Sequence, residues 1–257
     1  MKAPSFAYAK PRSLAEAFDL LERPGAKILA GGQSLIPSLN LRLSAPELLV
    51  DITGISGFSG IALANGSLRI GALCTHAQLE KSEDVRKHLP LVAEAVSHIA
   101  HPAIRNRGTL GGSLALADPA AELPACALAL DAVLVVAAKK GERRVKAADF
   151  FKGLFDTDLK PAEILVGVEF PKADKSVFLE LTRRQGDYAI VGLAAVTRAS
   201  QKRISFFGIA GKPVLLTPKS LDEAKASVPP PAADLYHSSS TKLHLAKVLL
   251  DRAWNRL

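Results

Sequence analysis

Two glycine pairs constrain this chain more than any other feature. The first lies in "ILAGGQSLIPSLNLRL", where Ala30-Gly31-Gly32-Gln33-Ser34 separates an apolar run from an amphipathic one. The second lies in "RNRGTLGGSLALADPAAELP", where Thr109-Leu110-Gly111-Gly112-Ser113 repeats the arrangement. A strand that ends in Gly-Gly turns sharply and leaves amides unshielded by side chains. A helix that starts directly afterwards adds its own free N–H groups and the positive end of its dipole. Phosphate binds well at such a place. Either pair alone reads as a tight turn. Two together, each beside a Ser or Thr, point to one anionic ligand approached twice by backbone. No G-x-G-x-x-G follows a strand and no G-x-x-x-x-G-K-[ST] is present, so neither a Rossmann site nor a P-loop is indicated. A pyrophosphate held between separated turns points to a dinucleotide bound in another way.

The flanking patterns give an α+β chain. Ser13-Leu14-Ala15-Glu16 has capping-box spacing, with Leu14, Ala17, Phe18 and Leu21 on one helical face and Pro24-Gly25 as the stop. "KILAGG" reads as a short buried strand, "SLIPSLNLRL" as a helix with Ser34 near its start, and "ELLVDIT" as a second strand, a βα-like opening over roughly residues 1–55. "GIALANGSLRIGAL" alternates around an Asn65-Gly66 hairpin turn, and Thr75-His76-Ala77-Gln78 repeats the capping-box spacing. Apolar positions 85, 89, 92, 96 and 99 predict helix, with Pro90 opening a new first turn and an end near His101, before Pro102. Asp118-Pro119 predicts the start of a helix running to about Leu130. "AVLVVAA", "RRVKAADF" and "EILVGVEF" predict further strands.

After Pro171 the pattern changes. "SVFLELTRR", "YAIVGLAAVTRA" and "RISFFGIAG" predict a three-stranded antiparallel meander, and "SLDEAKAS" and "STKLHLAKVLLDRAWNRL" two helices. The expected division is therefore 1–173, built of subdomains of about 1–55 and 56–173, followed by a smaller unit at 174–257.

A chain of 257 residues buries a sizeable core, and 48% hydrophobic with 23% charged residues is ordinary globular composition. The apolar run "LPACALALDAVLVVAA" is shorter than the roughly 20 residues needed to span a bilayer and carries Asp131, so it reads as a buried helix leading into a buried strand. The N-terminus lacks the apolar core of a signal peptide, and Cys74 and Cys126, which match no metal spacing, read as buried small apolar residues rather than a disulfide, as suits a reducing compartment; we expect a cytoplasmic protein with no transmembrane segment. A net charge of +8 raises a nucleic-acid reading. The basic residues are scattered as pairs and aromatics are only 5%, so a solvated surface or an acidic protein partner accounts for them better. No Ser-His-Asp or Cys-His constellation is present, so no catalytic residue is assigned. His98 and His101 lie three apart with no third ligand, which argues against a metal site. Arg105 and Arg107 stand ready either to neutralise pyrophosphate or to face a partner.

Three stretches, "ILAGGQSLIPSLNLRLSAPELLVDI", "HPAIRNRGTLGGSLALADPAAELPACALAL" and "RRQGDYAIVGLAAV", resemble the FAD-binding medium subunits of molybdenum hydroxylases, of the carbon monoxide dehydrogenase medium-chain type and related to the flavin domain of xanthine dehydrogenase. The likeness runs from about residue 4 to the closing "KLHLAKVLLDRA". It implies a PCMH-type FAD-binding fold of two α/β subdomains plus the C-terminal three-stranded sheet with helices. It also implies that Ala30, Gly31, Gly32, Gln33 and Ser34, with Thr109, Leu110, Gly111, Gly112 and Ser113, cradle the FAD pyrophosphate. Lys27, Ile28 and Leu29 lead into the first turn and contribute backbone. By the same resemblance, Glu122 falls at the acidic position near the ribityl chain, Leu165 and Ile99 at apolar walls, and Tyr188 beside the isoalloxazine ring. Some members carry a lysine near position 180 that can meet a flavin carbonyl, where this chain has Glu180. Some carry a histidine where it has Gln33.

The function implied is electron transfer: FAD accepting single electrons from [2Fe-2S] clusters and passing pairs to an external acceptor. The implied partners are a large molybdenum-cofactor subunit and a small iron–sulfur subunit, in a dimer of heterotrimers. Two rival readings are a self-contained PCMH-type flavin oxidoreductase and a FAD-free interaction or assembly protein of the same fold.

Overall fold

The structure is a computed structural model and describes residues 2–257. The chain opens with β1 (Ala7–Ala9), α1 (Leu14–Leu21), β2 (Ala26–Leu29), α2 (Leu35–Asn40) and β3 (Leu48–Asp51). The three strands form a parallel sheet in the order β1-β3-β2, each helix serving as a crossover. Ser13 caps α1 by accepting from the Glu16 amide, while the Glu16 carboxylate accepts from the Arg12 amide at 2.8 Å. Strand β1 has no counterpart in the sequence reading, because three residues are too few to display a period.

The middle of the chain builds a five-stranded antiparallel sheet in the order β4-β5-β10-β6-β7 from β4 (Ile61–Ala64), β5 (Ser67–Gly71), β6 (Val133–Ala138), β7 (Gly141–Lys146) and β10 (Ile164–Pro171). Asn65 and Gly66 both take positive φ (51° and 78°), which a two-residue turn between right-twisted strands demands. A small hairpin, β8 (Phe151–Gly153) with β9 (Asp156–Thr157), follows β7 and a helical turn, α9 (Ala147–Phe150). Between β5 and β6 the chain runs through α3 (His76–Lys81), α4 (Glu83–His88), α5 (Pro90–His98), α6 (Pro102–Arg105), α7 (Leu110–Leu116) and α8 (Glu122–Ala129). The capping box of Thr75 and Gln78 is complete. Helix α5 ends at His98, three residues before His101, because Ile99 turns extended and Ala100 takes a positive φ of 42°.

The helix expected from Asp118 begins only at Glu122. The Asp118 carboxylate accepts from the Ala120 amide at 2.9 Å and its carbonyl from Ala121, forming a local turn that competes with helix.

The C-terminal sheet is four-stranded rather than three-stranded. Strands β11 (Lys175–Leu181), β12 (Val191–Arg198) and β13 (Gln201–Phe207) form the meander, and β14 (Val214–Leu216) adds a fourth edge against β13. "VLL" is too short and too uniformly apolar to announce a strand. Helices α10 (Leu221–Ala226) and α11 (Ser239–Trp254) close the chain.

Alternation in β11–β13 decides how the layers stack. Phe178, Ala194, Val196 and Phe207 point to the core shared with α5, α8 and the five-stranded sheet. Val177, Leu193, Ala195 and Phe206 point the other way, to Ala246, Leu249, Leu250 and Ala253 of α11. Helix α8 is thus enclosed between two sheets, and all eight of its residues are buried. An all-round apolar helix needs this placement. The opposite face of the five-stranded sheet carries Val135, Ala137, Ile164 and Val166 onto Phe18, Leu48 and Val50 of the opening unit.

Candidate functional site

The two glycine turns interlock. A Cβ at Gly31 would strike the Arg107 carbonyl oxygen and lie 2.9 Å from the Gly108 Cα, so the first turn rests directly on the segment that leads into the second. Gly32 takes φ +73°, a conformation that favours glycine. The second segment is held from behind by α3. His76 donates its amide to the Gly108 carbonyl at 2.9 Å, and its ring Nε2 meets the Thr109 carbonyl at 3.1 Å. Burial pushes the His76 ring down to about 4, so it stays neutral and serves as a hydrogen-bonding strut.

The turns differ in the state of their amides. Leu110 donates to the Cys74 carbonyl, Gly111 to Ala72, Gly112 to the Thr109 hydroxyl and Ser113 to the Thr109 carbonyl. Among the described residues, no oxygen accepts from the amides of Gly31, Gly32, Gln33, Ser34 or Leu35. The Ser34 hydroxyl makes no capping bond either. The free anion-binding donors therefore belong to the first turn, while the second presents the half-buried Gly112 and Ser113 beside it.

A cavity of about 490 Å³ opens at the first turn, lined among others by Tyr8, Leu29, Gly31, Ile36, Asp51 and Arg107. Tyr8, Ile36 and Asp51 were not foreseen as lining it, since β1 and the α2 register bring them there. Tyr8 pairs beside Leu49 on β3 and donates its hydroxyl to Asp51 Oδ2 at 2.5 Å. Asp51 also accepts from the Thr53 amide and hydroxyl at 2.9 and 2.6 Å. These bonds outweigh burial and hold its carboxyl below the usual range. Arg107 is exposed on the cavity wall and has no ion pair among the described residues. Arg105 is different: it pairs with Glu80 at 3.0 Å and donates to the carbonyls of Ile99 (3.0 Å) and Ala100 (3.3 Å), so it braces the loop.

A second group gathers where α5 ends and α8 begins. Ile99 follows the last residue of α5, and Glu122 opens α8. The turn before Tyr188 packs on them: a Cβ at Gly186 would lie 2.8 Å from the Ala100 carbonyl. Gly208 donates to the Pro119 carbonyl at 2.8 Å and lies under the carbonyls of Ala189 and Ile190, which ties the Tyr188 loop to the turn ahead of Glu122. Tyr188 itself is 75% exposed, an unusual position for an aromatic ring with this much support beneath it. Burial, reinforced by Asp118, pushes the Glu122 carboxyl up to about 7. Leu165 sits in the core between β5 and β6, and the Lys27 ammonium turns to the Ser44 hydroxyl at 3.3 Å, so neither side chain reaches the cavity. Ile28 faces the core of the opening unit.

Residues 4–173 match the model of the FAD binding domain in molybdopterin dehydrogenase. The chain belongs to that family. The α subunit of the 6-hydroxypseudooxynicotine dehydrogenase complex of Paenarthrobacter nicotinovorans is 44% identical over 219 residues, 81% of this chain and 74% of that one. The carbon monoxide dehydrogenase medium chain of Hydrogenophaga pseudoflava is 39% identical over 215 residues, covering 82% and 75%. A solved structure of carbon monoxide dehydrogenase from the same organism superposes with a TM-score of 0.94 at 35% identity, covering 100% of this chain and 98% of its counterpart. The PCMH-type fold and the oxidoreductase class implied by the sequence resemblance both hold for this family member. No helix among the described residues is long and apolar enough to cross a membrane.

Proposed function

We propose that this chain is the FAD-carrying, electron-transferring medium subunit of a molybdenum hydroxylase complex. The observation that carries the reading is the unclaimed amides of Gly31, Gly32 and Gln33, three residues that line a cavity whose one cationic lining residue is Arg107. Both suit a pyrophosphate, and the pocket is of a size usual for small-molecule sites. The first turn binds through backbone, and Gly112 and Ser113 close on the same ligand from the second. Glu122 then meets the ribityl chain, and Ile99 and Tyr188 receive the isoalloxazine end. Leu165 supports them from the core, and Lys27, Ile28 and Leu29 fix the approach of β2 to the turn. The bound flavin would supply the change from one-electron to two-electron transfer. The protein's own residues bind it, shield its face with Tyr188 and leave its edge open to an acceptor.

Relatives that are a subunit of a dehydrogenase complex and a medium chain support partner subunits for this chain; in this reading they are a large molybdenum-cofactor subunit and a small iron–sulfur subunit, in a cytoplasmic dimer of heterotrimers. Residues 1–173 form the flavin domain in this reading and 174–257 the unit that backs the Tyr188 loop. Expression with and without the neighbouring subunits tests it. Molybdenum, iron and FAD should co-purify in the complex, and the isolated chain should bind FAD yet leave it oxidised in the presence of organic substrates. Rapid substrate-dependent bleaching of the flavin on the chain alone would overturn the proposal.

A further inference from the structure

Glu180 is the most anomalous side chain in the molecule. It points from β11 into the space between α5 and α8, its side chain has no solvent exposure, and among the described residues neither carboxyl oxygen has a hydrogen-bond partner. His98 at the end of α5 approaches it, with Nδ1 3.5 Å from Oε2, too long for a firm hydrogen bond. The His98 side chain is 41% exposed, so it bridges this buried acid and solvent.

Among the described residues no Lys or Arg pairs with Glu180. Helix α5 brings Glu94 and His98 to the region, and burial lowers the His98 ring below its usual range. Helix α8 brings Glu122 and Cys126, whose thiol burial pushes upward, and the preceding turn brings Asp118. On β12 the residue opposite is Gly192, and the Phe207 ring packs over it from β13. Burial, then Glu122, push the Glu180 carboxyl up to about 8. An unpaired buried carboxylate costs too much to serve as structure, whereas a carboxyl that changes charge on demand has a use.

We propose that Glu180 takes up a proton, by way of His98, when the neighbouring flavin is reduced. The proposal rests on the FAD reading above, which places the isoalloxazine against Ile99, the residue after His98, and the ribityl chain near Glu122, the acid whose charge bears on Glu180. A flavin that gains two electrons and one proton acquires one net negative charge. Two negative charges cannot be held close together in this enclosure. Above about pH 8, where Glu180 is ionised while the flavin is oxidised, the carboxylate therefore binds a proton from bulk water and becomes the acid, and the sum there is two electrons and two protons. The electrons come from a one-electron iron–sulfur donor. Oxidation returns the proton along the same path.

The test is spectroelectrochemical titration of the flavin on the full FAD-loaded chain, from about pH 6 to about pH 9. The wild-type potential should fall with the slope of one proton per electron pair below about pH 8 and twice that slope above it. Glu180→Gln, an uncharged mimic of the acid, should keep the shallow slope throughout. A reduced-minus-oxidised infrared spectrum of the wild type at alkaline pH should show a new protonated-carboxyl band, a check that needs no variant. Equal slopes in both proteins, or no carboxyl band, would overturn the inference while leaving the FAD reading intact. A chain that takes up no FAD would overturn both.

Discussion

Gly31 has no room for a side chain because the Arg107 carbonyl occupies that space. This contact locks the first turn to the segment entering the second, across 76 positions of sequence (107 − 31). Gly31→Ala must push the two segments apart, at a cost of about 1–3 kcal/mol typical of overpacking. FAD affinity should fall at least about tenfold, the equivalent of roughly 1.4 kcal/mol. Gly32→Val should lose affinity as well, since a branched side chain resists its φ of +73°. Gly60→Ala, with open space around it, is the control. Flavin titration together with urea unfolding separates binding from stability. Full affinity in Gly31→Ala and Gly32→Val would remove the first turn from the site.

Tyr188 stays 75% exposed although Gly186 and Gly208 fit its loop tightly against neighbouring backbone. A rigid loop that presents an exposed ring is suited to covering a ligand's flat face. Tyr188→Ala should shift the flavin absorption and its potential, and leave the dissociation constant within a few-fold because the pyrophosphate end is untouched. An unchanged spectrum and reoxidation rate would place the ring elsewhere.

How much of this was legible from sequence depends on how local each cause is. The capping box at Thr75, the Asn65-Gly66 turn and the buried helix in "LPACALAL" announce themselves within a few residues. Both glycine pairs did too, but their difference did not. Whether an amide is free depends on Ala72 and Cys74 approaching the second turn from another strand end, which no local pattern encodes. Tyr8 and Asp51 are in the same position, joined only through the parallel pairing of β1 and β3. The isolation of Glu180 was likewise invisible, because it results from α5, α8 and β11 converging on one point.

His76 gives the fold a pH dependence with a definite sign. Its folded value of about 4 lies below the ordinary 6.5, so the unfolded chain binds more protons between those limits. Stability contributed by the neutral ring is present above about pH 6.5 and is lost as the pH falls toward 4, by on the order of 3 kcal/mol. Glu180 acts in the opposite sense: its raised value makes stability decline as the pH rises from about 4.5 to about 8. Urea unfolding across this range should show His76→Gln with a flattened acid limb and Glu180→Gln with a flattened alkaline one. An acid limb identical to wild type in His76→Gln would mean the ring is not held neutral in the fold.

The far end of α8 supplies the last prediction. Arg203 on β13 donates to the Leu128 carbonyl at 3.0 Å and the Ala129 carbonyl at 2.9 Å, and lies 3.4 Å from Asp131. A guanidinium there satisfies carbonyls left open at a helix C-terminus and complements the negative end of its dipole. Its side chain is only 13% exposed, so water cannot readily replace it. Arg203→Ala should destabilise the protein by about 1.5–3 kcal/mol, the range for hydrogen bonds made by a charged group. Arg203→Lys should recover only part, because one ammonium cannot reproduce the fork that reaches two carbonyls and a carboxylate. The same helix carries Glu122 at its other end, so loosening α8 should also weaken FAD retention at elevated temperature. Thermal unfolding of the apo and FAD-loaded variants checks both effects. An Arg203→Ala protein that melts with wild type would show that α8 is held by its apolar enclosure alone.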